Sequence, residues 1–147
     1  GVIRDDCRNW LSGFTKRIGI TNSFIVEMWG LRKGLIMCCN LNIASLIIEL
    51  DAKAILEVLS NPSYVNNVIS PILDDCRLLV SRFHQIRIKH CFRKANRCAE
   101  SLARMSFTQD AKFSSFGSPP VDIIDVYEDD LNGMYFNRMC PELIVLS

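Results

Sequence analysis

No Cys-x-x-Cys pair occurs among the seven cysteines, which stand at 7, 38, 39, 76, 91, 98 and 140. Their number is odd, so neither a disulfide framework nor a zinc site is indicated. Several fall at apolar positions, where a free cysteine packs as a small hydrophobe. A reducing, intracellular compartment is expected, with nucleus and cytoplasm equally open. His84, His90, Cys91 and Cys98 lie close in sequence, but their spacing matches no familiar ligand set. No apolar run approaches the roughly 18 residues that span a bilayer, so no membrane association is expected. The N-terminus lacks the basic, apolar and small-residue order of a signal peptide. A Gly-rich phosphate loop, a Gly-x-Ser-x-Gly elbow and a His-Glu-x-x-His pair are all absent, which disfavours nucleotide-loop, esterase-type and zinc-protease chemistry. Internal repeats and low-complexity tracts are missing too. The chain opens on Gly1-Val2-Ile3-Arg4 without Met, in the middle of a strand-like run, and is read as a fragment or a processed piece.

What remains is a globular composition. The 147 residues are 49% hydrophobic and 22% charged, the size and balance of one domain with a real core. The net charge of +1 hides an asymmetry. Residues 1–107 hold 15 Lys and Arg against 9 Asp and Glu; residues 108–147 hold 2 against 7. A basic body therefore carries an acidic tail, and the domain is expected over 1–107 with an extension over 108–147.

Val2-Ile3-Arg4 and Trp10 to Ile18 predict a strand pair joined by the turn-like Asp5-Asp6-Cys7-Arg8-Asn9. Thr21-Asn22-Ser23 offers N-cap chemistry for a helix whose stripe is Phe24, Met28, Leu31, Leu35 and Cys38. Leu46-Ile47-Ile48-Glu49-Leu50 has the nearly continuous apolar character of an interior parallel strand. Asp51 then stands where it can cap a helix from Ala52 to Leu59, and a further helix is predicted from about Ile69 to Phe83. Gln85 to Phe92 alternates, with Ile86, Ile88, His90 and Phe92 on one face and Gln85, Arg87, Lys89 and Cys91 on the other. Asn96 opens a helix to about Met105. The order β-β-α-β-α-α-β-α indicates an α/β domain, a mixed sheet with helices on its faces. Residues 113–120 read as a loop or linker and 121–131 as one short acidic helix; the tail is expected to dock on the body or stay mobile.

Three carboxylates stand out by position. Glu27 lies at the margin of the first helix's buried stripe, where a charge needs a partner, a hydrogen bond or a metal. Asp51 ends the apolar strand, where open α/β sheets place ligands. Glu100 lies one turn into the last helix, near the positive end of its dipole. Each has a plain alternative: Glu27 reaching solvent, Asp51 acting only as a cap, Glu100 an exposed charge. Arg82, Arg87, Lys89, Arg93, Lys94, Arg97 and Arg104 form a basic cluster with only Glu100 against it. Such a cluster suits phosphate neutralisation, or is simply a solvated surface. His90 by default is a rim or core histidine.

The residues above resemble the reverse-transcriptase-type ribonuclease H domains of plant retroelement-derived proteins. The resemblance runs from Gly1 to about Leu102. It rests on Gly1-Val2-Ile3-Arg4-Asp5, on Val26-Glu27-Met28-Trp29-Gly30-Leu31 and on Ile48-Glu49-Leu50-Asp51-Ala52. Its most specific part is His90-Cys91-Phe92-Arg93-Lys94-Ala95-Asn96-Arg97-Cys98-Ala99-Glu100-Ser101-Leu102-Ala103, similar to the family's Arg-x-x-Asn-x-x-Ala-Asp-x-Leu-Ala segment. Ser118-Pro119-Pro120 with its acidic stretch is similar to the C-terminal extension of those proteins. The resemblance implies a ribonuclease H-like mixed sheet flanked by helices. It also implies hydrolysis of RNA in RNA–DNA hybrids through carboxylates holding two Mg²⁺ ions. Glu27, Asp51 and Glu100 match the metal-binding positions, with Glu100 standing where the family normally has Asp. His90 matches a histidine that in some members of the family assists proton transfer or product release. Arg87, Lys89, Arg93, Lys94, Asn96 and Arg97 are then the candidate nucleic-acid contacts.

The family's first strand, with a metal-binding Asp, is expected before Gly1 and is absent from this chain. The sheet is therefore expected to lack a strand, and this chain to cut hybrids weakly or not at all. Three functions follow: a hybrid endoribonuclease in its intact parent, a non-catalytic nucleic-acid-binding relic, or a protein-interaction module whose acidic tail engages a partner or covers the basic face.

Overall fold

The computed structural model describes residues 1–17, 23–92 and 96–132, and the backbone of 144–146. Its strands are β1 (Val2–Arg4), β2 (Trp10–Lys16), β3 (Ser45–Leu50), β4 (Gln85–His90), β5 (Phe113–Phe116) and β6 (Ile144–Leu146). Its helices are α1 (Ser23–Asn40), α2 (Lys53–Ser60), α3 (Ser70–Val80), α4 (Arg97–Met105) and α5 (Ile124–Asn132). The six strands form one sheet in the order β4-β3-β6-β1-β2-β5. β3 pairs in parallel with β4 and β6, while β1 is antiparallel to β2 and β6, and β5 to β2. This is the mixed α/β sheet that the element order predicts.

Both faces of the sheet are covered, and adjacent residues of β1 show it. Successive strand side chains point to opposite faces. Ile3 joins a core with Met28, Leu35, Leu46, Ile48 and Leu73, drawn from α1, β3 and α3. Val2 joins a second core with Cys98, Leu102 and Ile123, built by α4 and the turn before α5. Neither Val2 nor Ile3 is exposed at all. The apolar stripe of α1 is buried at Met28, Leu31, Leu35 and Cys38, as its spacing predicts. The helix ends where Asn42, at φ 55°, enters the left-handed region that asparagine tolerates.

Three expectations change. Asp51 is not the cap of α2; that position belongs to Ala52, in extended conformation and with no side-chain cap bond. Residues 113–116 are a strand, not a linker. Lys16 pairs with Phe113 and Gly13 with Phe116, so the Ser-rich segment extends the β1–β2 hairpin. Most consequential is β6, which runs between β3 and β1 and closes the place where the sheet is expected to lack a strand. The tail thus docks through β5, α5 and β6. Ile18 of the expected second strand and the Thr21-Asn22 cap lie outside the described residues, as does Cys140.

Candidate functional site

The register of the central strands decides which candidates share an edge. Ile48 pairs with Leu146, and Leu146 with Ile3. Two residues further along, Leu50 and Gly1 are level, at the end of the sheet where β3 runs out. Asp51 follows Leu50 directly, and His90 pairs with Leu50 across β4. The Gly1 amino group donates to the Phe14 carbonyl at 2.9 Å. The negative charge of Glu27 lies nearby. Glu27 on α1, Asp51 and His90 therefore belong to one end of the sheet, all three half-buried.

Glu100 is committed elsewhere. Its carboxylate accepts from Arg104 at 2.8 Å, one turn along the same exposed helix face. His90 stacks edge-to-face on Phe92, with ring centroids 5.3 Å apart, and Phe92 itself is exposed. The two rings thus share a side, as the alternation of β4 predicts.

Mg²⁺ prefers oxygen ligands, and the candidate carboxylates are of the right type. Their placement is another matter. An ion with ligands at 2.0–2.1 Å needs donors within about 4.2 Å of one another. Among the described residues, the one group of three or more possible ligands whose donor atoms lie within 4.8 Å is Asp5, Asp6 and Cys7. That group sits in the β1–β2 turn, where Asp5 accepts from the amide and side chain of Asn9, and Asp6 from the amide of Cys7. Glu27, Asp51, Glu100 and His90 supply no such trio. The donors are of the type a hard cation takes, and Mg²⁺ usually keeps several waters and needs only one or two carboxylates beside substrate phosphates.

The basic candidates divide as well. Arg87 is exposed and points to solvent. Lys89 is paired with Glu49 at 3.2 Å, its register partner on β3. Glu49 is 3% exposed, so this is a buried carboxylate held by a half-exposed ammonium. Arg97 faces Asp129 of α5 at 3.6 Å. Asn96 occupies the N-cap position of α4 and, among the described residues, makes no side-chain cap bond and finds no hydrogen-bond partner for its buried Oδ1. Arg93 and Lys94 lie outside the described residues.

Sequence reasoning missed a buried polar group beneath α4. Arg4 is 4% exposed and donates to Asp130 of α5 at 3.2 Å. The same carboxylate accepts the Cys98 thiol at 3.2 Å. Burial first, then that hydrogen bond, pushes the Cys98 thiol up to about 12. Cys91 is also pushed to about 12, by burial and then by the negative charges of Glu49 and Asp51. A signal existed for Glu49, since a carboxylate inside an apolar strand demands a partner. None existed for Arg4, whose partner lies 126 residues away.

A family model described as "Reverse transcriptase-like" matches residues 1–106. A protein of Arabidopsis thaliana described as "Putative ribonuclease H protein" is 28% identical over 133 residues, 90% of this chain. The match covers 22% of that relative's own length. No solved structure matches the chain.

Proposed function

Because this chain belongs to the reverse transcriptase-like family and has a ribonuclease H-like fold, we propose that it binds nucleic acid and cuts RNA–DNA hybrids weakly or not at all. The observation that carries the second half is the commitment of Glu100 to Arg104. Two-metal cleavage needs carboxylates that hold both ions in place. Here Glu100, which stands where the family normally has Asp, is bonded to Arg104. The first half is supported by the excess of Lys and Arg over 1–107 and by the exposure of Arg82, Arg87 and Arg97. A backbone grip of this kind reads charge and the A-like shape of a hybrid, not base sequence. Six free thiols among the described residues support a reducing compartment for this work.

One observation favours tail control of the basic face. Arg97, a candidate phosphate contact, already faces Asp129, and Arg8 donates to the Asp130 carbonyl at 2.6 Å. The acidic helix α5 thus competes with phosphate for the α4 side of the domain.

The test uses purified 1–147 and a labelled RNA–DNA hybrid. Binding that weakens steeply with salt is expected, with no cleavage above background on adding Mg²⁺. Clear Mg²⁺-dependent cutting that is lost in D51N would overturn the reading. So would hybrid binding indifferent to salt.

A further inference from the structure

A cationic cluster that the basic 82–104 region does not include gathers where α1 crosses β2 and β5. The Lys16 ammonium sits over the Trp29 ring, 4.2 Å from its centroid, and the Arg32 guanidinium lies 5.5 Å from the same ring. Lys33 sits over Phe113 at 4.2 Å, and Phe113 stacks on Phe14. Two aromatic rings therefore hold three cations side by side. Cation–ring attraction fixes long side chains that would otherwise move freely. Burial first, then the charges of Arg32 and Lys33, lowers the Lys16 pKa. Among the described residues, the acid that relieves the cluster is Asp75, 3.0 Å from Arg32. Lys16 and Lys33 have no carboxylate partner among those residues.

A groove opens on the same tryptophan. Ile25 and Trp29 of α1 face Val68, Ile69, Ile72 and Asp75 across a space of about 280 Å³. Val68 is 75% exposed at its rim. The walls are apolar, one of them is an indole, and Asp75 at the edge is already tied to Arg32. The space is small for a drug-sized ligand and suits one flat ring.

We propose that Lys16, Arg32, Lys33 and the Trp29 groove form a second nucleic-acid contact, which takes a single strand with its phosphate on the cations and one base in the groove. The inference shares with the proposed function only the premise of a nucleic-acid ligand. A paired duplex keeps its bases stacked inside and has none to place in a groove, whereas an unpaired strand combines a stackable ring with a phosphate at every step. The cations are held in place over the rings, so an arriving phosphate meets charges already positioned for it. An acidic peptide would satisfy the charges but leave the apolar groove empty.

The experiment is fluorescence anisotropy of purified 1–147 with a labelled ten-nucleotide oligo-dT, alongside an RNA–DNA hybrid and a poly-glutamate peptide. K16A/K33A is expected to weaken oligo-dT binding about tenfold and to flatten its salt slope by about 1.4, two single-strand phosphate contacts' worth. V68D, a change at an exposed rim, is expected to weaken oligo-dT binding without altering the fold seen by circular dichroism. Hybrid binding stays within about twofold in both variants. The inference is overturned if K16A/K33A binds oligo-dT as the wild type does, if the folded wild type does not bind it, or if poly-glutamate binds equally well. R87A/R97A tests the earlier reading alone, through loss of hybrid binding.

Discussion

Arg4 and Glu49 are charges inside the protein, each held by an opposite charge, and neither advertises its partner locally. Removing one member of such a pair leaves the other uncompensated. R4M would take its buried cation from the Asp130 carboxylate, which is 12% exposed and also accepts the Cys98 thiol. We expect it to lower unfolding stability by about 3 kcal/mol, read from urea melts, and R4M/D130N to recover part of that loss. An R4M melt equal to wild type would show that the pair contributes nothing. The thiols make a second prediction. Burial pushes Cys38, Cys76, Cys91 and Cys98 up to about 12, and the thiolate is the reactive form. Iodoacetamide at pH 8 is therefore expected to leave all four unlabelled in the native protein and to label them in urea, counted by mass spectrometry. Native labelling of any one of the four would contradict their burial.

Within the hairpin, Gly13 earns its place through Trp10. A Cβ at Gly13 would collide with the Trp10 ring, which folds over the glycine and donates from Nε1 to the Phe116 carbonyl at 2.9 Å. The main chain of Trp10 in turn donates to the Tyr127 hydroxyl at 2.9 Å, and the two rings meet edge-on. Trp10 thus ties β2 to both β5 and α5. G13A must displace it, and we expect a loss of about 1–3 kcal/mol with a red shift in tryptophan emission. A blue-shifted or unchanged spectrum with full stability would refute the contact. The same ties explain why β5 escaped sequence reading. Phe113-Ser114-Ser115-Phe116 has no alternation and two serines, the signature of a loop. The strand arises because β2 offers an open edge, and the phenyl groups at its two ends pack on Phe14 and beside Trp10. By contrast α1, β3 and β4 were legible from their apolar spacing, since a stripe or an alternation reports burial directly.

At the level of the sheet, β6 joins two halves. On one side stand β4 and β3, on the other β1, β2 and β5. Without β6, β3 and β1 would each present an unpaired backbone edge, a template for other strands. Deleting residues 144–147 is expected to lower the melting temperature by several degrees and to produce concentration-dependent association in gel filtration. A deletion variant that stays monomeric with an unchanged melting temperature would show that β6 does not hold the sheet together. The candidate site divides along the same line. That Asp51 ends an apolar strand, and that Glu27 flanks a buried stripe, could be read from spacing. That Lys89 is taken by Glu49, and that Arg97 meets the acidic tail, could not.

The chain's own order of residues was enough to establish the α/β class, the covered faces and the positions of most helices and strands. Those properties depend on side-chain period, which the backbone geometry of each element sets locally. Which strand lies beside β3, and which charge answers Arg4 or Glu49, was decided only in three dimensions. A partner 100 residues away is chosen by free energy summed over the whole fold, and no local pattern records that sum.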